Sequence, residues 1–218
     1  MLKFIKSFLF LSFYFLFSIL PVNAEGDLLL SDNFNDGNLD GWVIKDGTWL
    51  VDNGNLLTTE TGVLSFRGSI STGNTEWDNY KIELDVNNEL GVDEGIDFRR
   101  ADDNNYYAFN LRHGPQGLDA PLKLFKVVDN FAFEIARAHT EFLNNVWYHI
   151  RVEVLNENIK FYSNDNLILE YTDSGTDFKK GAIGLYTWTG GNGFLTARFD
   201  NIKVTSLAST PTKTPLIL

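Results

Sequence analysis

Apolar and polar residues alternate with period two along most of the chain. Tyr80, Ile82, Leu84 and Val86 share one parity, and Lys81, Glu83 and Asp85 the other. Tyr148, Ile150, Val152 and Val154 alternate with His149, Arg151 and Glu153, and Tyr107, Phe109 and Leu111 with Tyr106, Asn110 and Arg112. This periodicity sends one set of side chains to a core and the other to solvent, as in half-buried strands. Comparable runs predict strands at 42–51, 55–66, 94–100, 121–128, 131–138, 158–163, 166–172, 182–188 and 194–205. Turn formers lie between them: Asp46-Gly47, Asn53-Gly54, Asp102 to Asn105, Asp129-Asn130, Asn156 to Asn158 and Asn164 to Asn166. Nothing reads as a long helix, and only Asp173 to Lys179 leaves room for a short helix or turn. Closely spaced strands with one polar face each predict an all-β fold, a sandwich of two antiparallel sheets.

The first 24 residues break this pattern. Lys3 and Lys6 precede an apolar run from Phe8 to Leu20, and Pro21 to Ala24 end in a small-x-small cleavage pattern. The run is shorter than the ~20 residues of a spanning helix, so 1–24 is expected to be a signal peptide rather than a membrane anchor. A secreted or cell-surface location follows, with no membrane insertion after cleavage. The segment holds two of the 18 Lys+Arg and none of the 29 Asp+Glu, so the remaining 194 residues carry a net charge of −13. That charge repels phosphate backbones and argues against a nucleic-acid partner. The absence of Cys excludes disulfides, thiolate zinc sites and Cys nucleophiles. The fold must therefore stand on packing, with or without a metal. One domain is expected over 25–205, as a monomer, followed at 206–218 by a linker or disordered tail rich in Ser, Thr and Pro.

Six phrases carry a resemblance. They are DNFNDGNLDGWVIKDGTWLVDNGNLL (32–57), WDNYKIELDV (77–86), GIDFRRADDNNYYAFNLR (95–112), WYHIRVEV (147–154), GAIGLYTW (181–188) and ARFDNIKV (197–204). Together and in this order they resemble concanavalin A-like jelly-roll domains of secreted bacterial proteins, in the laminin-G-like and 3-keto-disaccharide hydrolase-like branch. The resemblance implies a curved jelly-roll sandwich and leaves activity open, because one fold hosts many functions. Trp42 and Trp49 flank Asp46-Gly47 as in a hairpin that plugs the end of a core, and Trp147 opens a strand in the same manner. All three are expected to be core residues.

Candidate chemistry narrows from there. Jelly-roll glucanases use Glu-x-Asp-x-(x)-Glu on one strand; here Glu83 and Asp85 are followed by Asn87 and Asn88 where the second Glu would stand. An amide cannot protonate a leaving oxygen, so that activity is not expected. Glu89, Asp93, Glu94 and Asp97 read as an acidic loop open to a cation or a general-base role, or simply solvated. His113, His139 and His149 match no zinc spacing. Gly190 to Gly193 precedes a strand rather than a helix and reads as a flexible loop, not a phosphate cradle.

Two ligand classes remain. The resemblance implies a structural calcium ion where the first and last strands meet, with Asp32 and Asp200 as ligands; the alternative is Asp200 bonded to nearby backbone amides. For sugar, strand parity turns Asp97, Arg99, Tyr106, Asn110, Arg112 and Lys123 outward on the concave sheet, with Trp188 stacking from the rim. The same residues also fit a solvated face with salt bridges to Asp102 or Asp103. A non-catalytic carbohydrate-binding or adhesion module, its partner a glycan or polysaccharide, is preferred. The runner-up, by resemblance, is a glycoside hydrolase acting on 3-keto disaccharides or related glycans.

Overall fold

The computed structural model describes residues 26–113, 122–175, 177–191 and 193–208. The expected signal peptide and nearly all of the expected tail lie outside them. The strands are β1 (Leu28–Asp32), β2 (Val43–Asp46), β3 (Trp49–Asp52), β4 (Asn55–Thr61), β5 (Arg67–Thr72), β6 (Tyr80–Leu90), β7 (Asp93–Arg100) and β8 (Tyr106–Arg112), then β9 (Leu122–Val128), β10 (Phe131–Ala138), β11 (Tyr148–Leu155), β12 (Asn158–Ser163), β13 (Asn166–Thr172), β14 (Ala182–Trp188) and β15 (Phe194–Ser206). The described part of Asp173 to Lys179 is turn and irregular chain, without a helix.

Two antiparallel sheets form the sandwich. The eight-stranded sheet runs β13-β12-β11-β6-β15-β4-β3, with β1 also pairing to β15; the seven-stranded sheet runs β10-β9-β8-β7-β14-β5-β2. The alternating residues behave as their parity requires: Ile82, Leu84, Ile150, Val152, Phe109 and Leu111 are all buried between the sheets. A run of aromatic rings crosses this interior from Phe98 to Phe109 to Phe161, with centroids 5.4 and 4.8 Å apart. Without cross-links, such burial is the main source of stability, at about 25 cal/mol per Å² of apolar surface.

Several expectations need correction. Residues 42–51 are not one hairpin: β2 joins the seven-stranded sheet and β3 the eight-stranded one, so the chain changes sheets at Gly47, where φ is +90°. Trp42 and Trp49 are nevertheless buried, at 9% and 5% exposure. The predicted strand 55–66 ends at Thr61, and a strand not anticipated, β5, starts at Arg67 on the other sheet. Its Arg-Gly-Ser-Ile-Ser-Thr sequence has too few apolar positions to show alternation. The first strand, expected near Asp32, is β1; its extent back to Leu28 was not given, because three successive leucines carry no period of two. Trp147 lies outside the core at 43% exposure. The supposed acidic loop is strand: Asp93, Glu94 and Asp97 belong to β7, and Glu89 to β6.

Candidate functional site

The outer face of the seven-stranded sheet is built in rows set by strand register. Arg67, Trp188, Asp93 and Arg112 lie side by side across β5, β14, β7 and β8. The next row is Ser69, Tyr186, Gly95, Asn110 and Lys123, and the next Ser71, Gly184, Asp97, Ala108 and Phe125. Parity thus brings Tyr106, Asn110, Arg112, Lys123 and Trp188 to one face, as expected. It does not bring Arg99. Between Ala182 and Gly184 the β7–β14 register slips, and Arg99 takes a left-handed φ of +46°. This bulge reverses parity for the last residues of β7. Arg99 turns in, 3% exposed; its N–H donates to the Tyr80 hydroxyl and its guanidinium to the Asn156 carbonyl. Arg100 takes the outward position instead.

Asp97, fully buried, anchors the face. Both of its oxygens accept from Arg67 Nη2, at 3.1 and 3.0 Å, and Oδ2 accepts from Arg100 Nη1 at 2.8 Å. Arg100 reaches on to Asp103 at 2.6 Å, which also holds Lys45. The two guanidinium groups cover aromatic faces: Arg67 sits 4.4 Å from the Tyr186 centroid and 5.4 Å from Tyr106, and Arg100 is 4.9 Å from Tyr106. Burial weakens the charge on Arg67, but Asp97 outweighs it and the group stays cationic. Among the described residues Nη2 is the Arg67 atom that bonds to Asp97. Gly95 makes this floor possible. A Cβ there would meet the Tyr186 ring at 2.1 Å and the Phe109 carbonyl at 2.3 Å, so only Gly lets Tyr186 lie across the sheet.

An open groove of about 240 Å³ lies over these rings, lined by Arg67, Tyr106, Ala108, Phe125, Val127 and Tyr186. Tyr106, Ala108, Val127 and Tyr186 form an apolar cluster separate from the main core. Buried rings on a face that borders a groove, with planar donors at their edges, fit the usual form of a small-ligand site. Burial raises the hydroxyl pKa of both Tyr106 and Tyr186, keeping them neutral hydrogen-bonding groups.

Beside the groove stands Asp93, 4% exposed. Burial pushes its carboxyl up to about 6, against the attraction of Arg112 and a hydrogen bond from Asn110. Its Oδ1 and Arg112 Nε lie 3.9 Å apart, both buried and without hydrogen-bond partners among the described residues. On the other side of β7, Glu94 is buried against His113 and accepts from Asn88 Nδ2 at 2.6 Å. Burial disfavours the charged His113 ring, but Glu94 outweighs it and raises its pKa.

Asp32 and Asp200 meet at a seam, where β1 and β4 lie end to end along β15. Asp32 accepts from the Phe34 N–H and from Trp42 Nε1, each at 2.8 Å. Asp200 accepts from the Asn201 N–H at 2.7 Å and from Asn55 Nδ2 at 3.3 Å. Its pKa is raised by burial and by the charges of Asp85 and Asp32. Among the described residues no three His, Asp or Glu side chains converge as a metal centre.

Sequence reading missed Arg67, Arg100 and Tyr186 as members of the face. Tyr186 was legible, since it shares parity with Trp188 in GLYTW. Arg67 was hidden with its strand, and Arg100 by the bulge.

The fold defines a class: a concanavalin A-like jelly-roll sandwich of the kind found in carbohydrate-binding and glycoside-hydrolase-associated domains. Residues 31–205 match the family model described as 3-keto-alpha-glucoside-1,2-lyase-like domain, and the chain belongs to that family. A search of curated proteins gave no match. Among solved structures the chain is similar to the carbohydrate-binding module CBM66 from Bacillus subtilis, with 25% identity, a TM-score of 0.63, and 78% of this chain and 98% of that one covered. It is also similar to a Bacillus subtilis protein of unknown function with a galectin-like fold, at 14% identity and TM-score 0.68, covering 85% and 99% of the two chains. Domain 4 of AbnA, a GH43 extracellular arabinanase from Geobacillus stearothermophilus solved with arabinotriose, is similar at 18% identity and TM-score 0.58, covering 86% and 96%.

Proposed function

We propose that the chain is a carbohydrate-binding module whose glycan lies across the outer face of the seven-stranded sheet. The observation that carries this is the Asp97 anchor, which fixes Arg67 and Arg100 over the rings of Tyr106 and Tyr186 beside an open groove. A guanidinium held over those rings donates to paired hydroxyls, and the partly exposed indole of Trp188 takes the C–H face of a sugar ring. Asn110, Lys123 and Trp188 extend the same surface. The similarity to a carbohydrate-binding module over nearly that module's whole length supports the reading. Titration calorimetry with glycan-array hits and with arabinotriose tests it. Tyr186→Ala and Arg67→Ala should each weaken binding about tenfold, or about 1.4 kcal/mol; unchanged affinity in both folded variants would place the ligand elsewhere.

A structural calcium ion at the β1–β4 seam is part of the proposal. Repulsion among Asp200, Asp85 and Asp32 is what a divalent cation would relieve. Both oxygens of Asp32 and both of Asp200 already accept hydrogen bonds, so an ion there would have to displace or share those donors.

A second reading, catalysis, is favoured by one observation: a buried carboxyl with a pKa of about 6 on the ligand face. In a 3-keto glycoside the C3 carbonyl acidifies the C2 proton. Asp93 as a carboxylate would take that proton, the electron pair left at C2 would expel the C1 oxygen, and the departing alkoxide would take a proton back from the Asp93 carboxylic acid or from water. Arg112 would balance the enolate charge. Release of the C1 substituent from a 3-keto disaccharide, abolished in Asp93→Asn, would place this reading first; no turnover leaves the binding reading.

A further inference from the structure

We propose that the outer face of the eight-stranded sheet carries a second sugar-binding site, which takes a neutral pyranose unit on the exposed indole of Trp147. A pocket of about 420 Å³ opens there, lined by Asp85, Trp147, His149, Asn164, Asp200 and Asn201. It lies on the opposite sheet from the Asp97 groove and shares no residue with it.

Three features point to a ligand. The first is Trp147 itself. Trp42 and Trp49 are 9% and 5% exposed, whereas Trp147 leaves 43% of its surface in solvent at the mouth of a polar pocket. There the indole offers a flat apolar face on which a sugar ring can stack. The second is a fixed imidazole. His149 Nδ1 lies 2.8 Å from Asp85 Oδ1; a carboxylate only accepts, so Nδ1 carries a proton, and in the neutral ring Nε2 is the acceptor. Asp85 is held from its other oxygen by Asn201 Nδ2, also at 2.8 Å.

The third is complementary donor capacity. The Asn164 side-chain oxygen accepts from the His149 N–H at 3.0 Å, which turns its NH₂ away from that bond. Asn201 stands at the slip in β15 register with φ of +51°, which brings its amide between Asp85 and Asp200. An acceptor at His149, a donor at Asn164 and an aromatic platform meet the needs of a vicinal diol on a pyranose ring. Without an ion at the seam, the carboxylates of Asp85 and Asp200 repel uronic acids and sulfated sugars, which selects neutral rings; a seated calcium ion would cancel that selection. Because the sheets of a sandwich pack about 10 Å apart, two such sites would face away from one another and let one module bridge two glycan chains, raising avidity without new contacts.

The test is an NMR titration of the isotope-labelled chain from residue 25 onward. It follows the tryptophan indole and histidine ring resonances with methyl α-D-mannopyranoside, methyl β-D-galactopyranoside and methyl β-D-glucopyranoside as probes. At least one probe should shift Trp147 and His149 together and saturably. Trp147→Ala should weaken the His149 response about tenfold, and Trp147→Phe should restore most of it. Should Trp147→Ala fold poorly, Asn164→Asp, which tolerates the left-handed φ of +47° and keeps the acceptor for the His149 N–H while removing the donor, provides the same readout. The Tyr186→Ala groove variant should leave the Trp147 response intact, so the two sites fail separately. Trp147 and His149 unmoved by all three sugars in the folded wild-type chain would overturn the proposal, as would a response that vanishes with Tyr186→Ala.

Discussion

Replacing Asp93 by Asn should stabilise the protein at neutral pH, and only there. An ordinary aspartate titrates near 3.8, while Asp93 is held at about 6 by burial that Arg112 and Asn110 only partly offset. Between those values the folded chain keeps a proton that the unfolded chain has released. Stability therefore falls as pH rises through this window, and above pH 6 the full cost is present. Moving a carboxyl from 3.8 to about 6 corresponds to about 3 kcal/mol. Asn keeps the shape and the capacity to bond Asn110 but carries no charge, so it escapes the cost. For a chain of this size the variant should melt on the order of 5–10 °C higher at pH 8, with the gain gone at pH 3. Thermal unfolding followed by circular dichroism across pH 3–8 reads both limbs. A pH-independent difference between variant and wild type would refute the reasoning, as would a loss of stability at pH 8. A costly carboxylate retained on a ligand face is the kind of stability sacrifice expected where function needs the group.

Other outcomes follow from the same contacts. Gly95→Ala should cost several kcal/mol in denaturant unfolding and weaken glycan binding, because its methyl would overlap both the Tyr186 ring and backbone. Glu94→Gln leaves the buried His113 without its carboxylate and should cost about 3–5 kcal/mol. His113 is raised, so the stability it contributes is fully present below its unfolded value of 6.5 and lost as pH rises through its folded value; Glu94→Gln should flatten that limb. If the seam holds calcium, chelator should lower the melting temperature of the wild type and leave Asp200→Ala unmoved; a wild type indifferent to chelator would remove the ion from the account.

The sandwich was legible in the sequence because alternation is a local signal: β11 and the first seven residues of β6 alternate in burial as their parities require, while in β8 both parities are buried, one in the core and one on the outer face. Which residues share the outer face of the seven-stranded sheet was legible to the same degree and failed where parity failed. A single bulge residue, Arg99, exchanged places with Arg100, and no composition rule marks that slip in advance. Arg67 escaped because β5 is built of small polar residues that are buried by neighbours rather than by their own hydrophobicity. Trp147 was misread for the opposite reason. Its size suggested core, but it precedes β11 and lies beyond the last inward position, Tyr148. Tertiary placement at strand ends decides exposure, and alternation is silent there.

The central claim is that glycan binds the outer face of the seven-stranded sheet. Backbone and side-chain chemical-shift mapping with the tightest glycan-array ligand tests it most directly. The account expects saturable shifts clustered on Arg67, Asp97, Tyr106, Asn110, Tyr186 and Trp188. A tight ligand that leaves all six unmoved would contradict it.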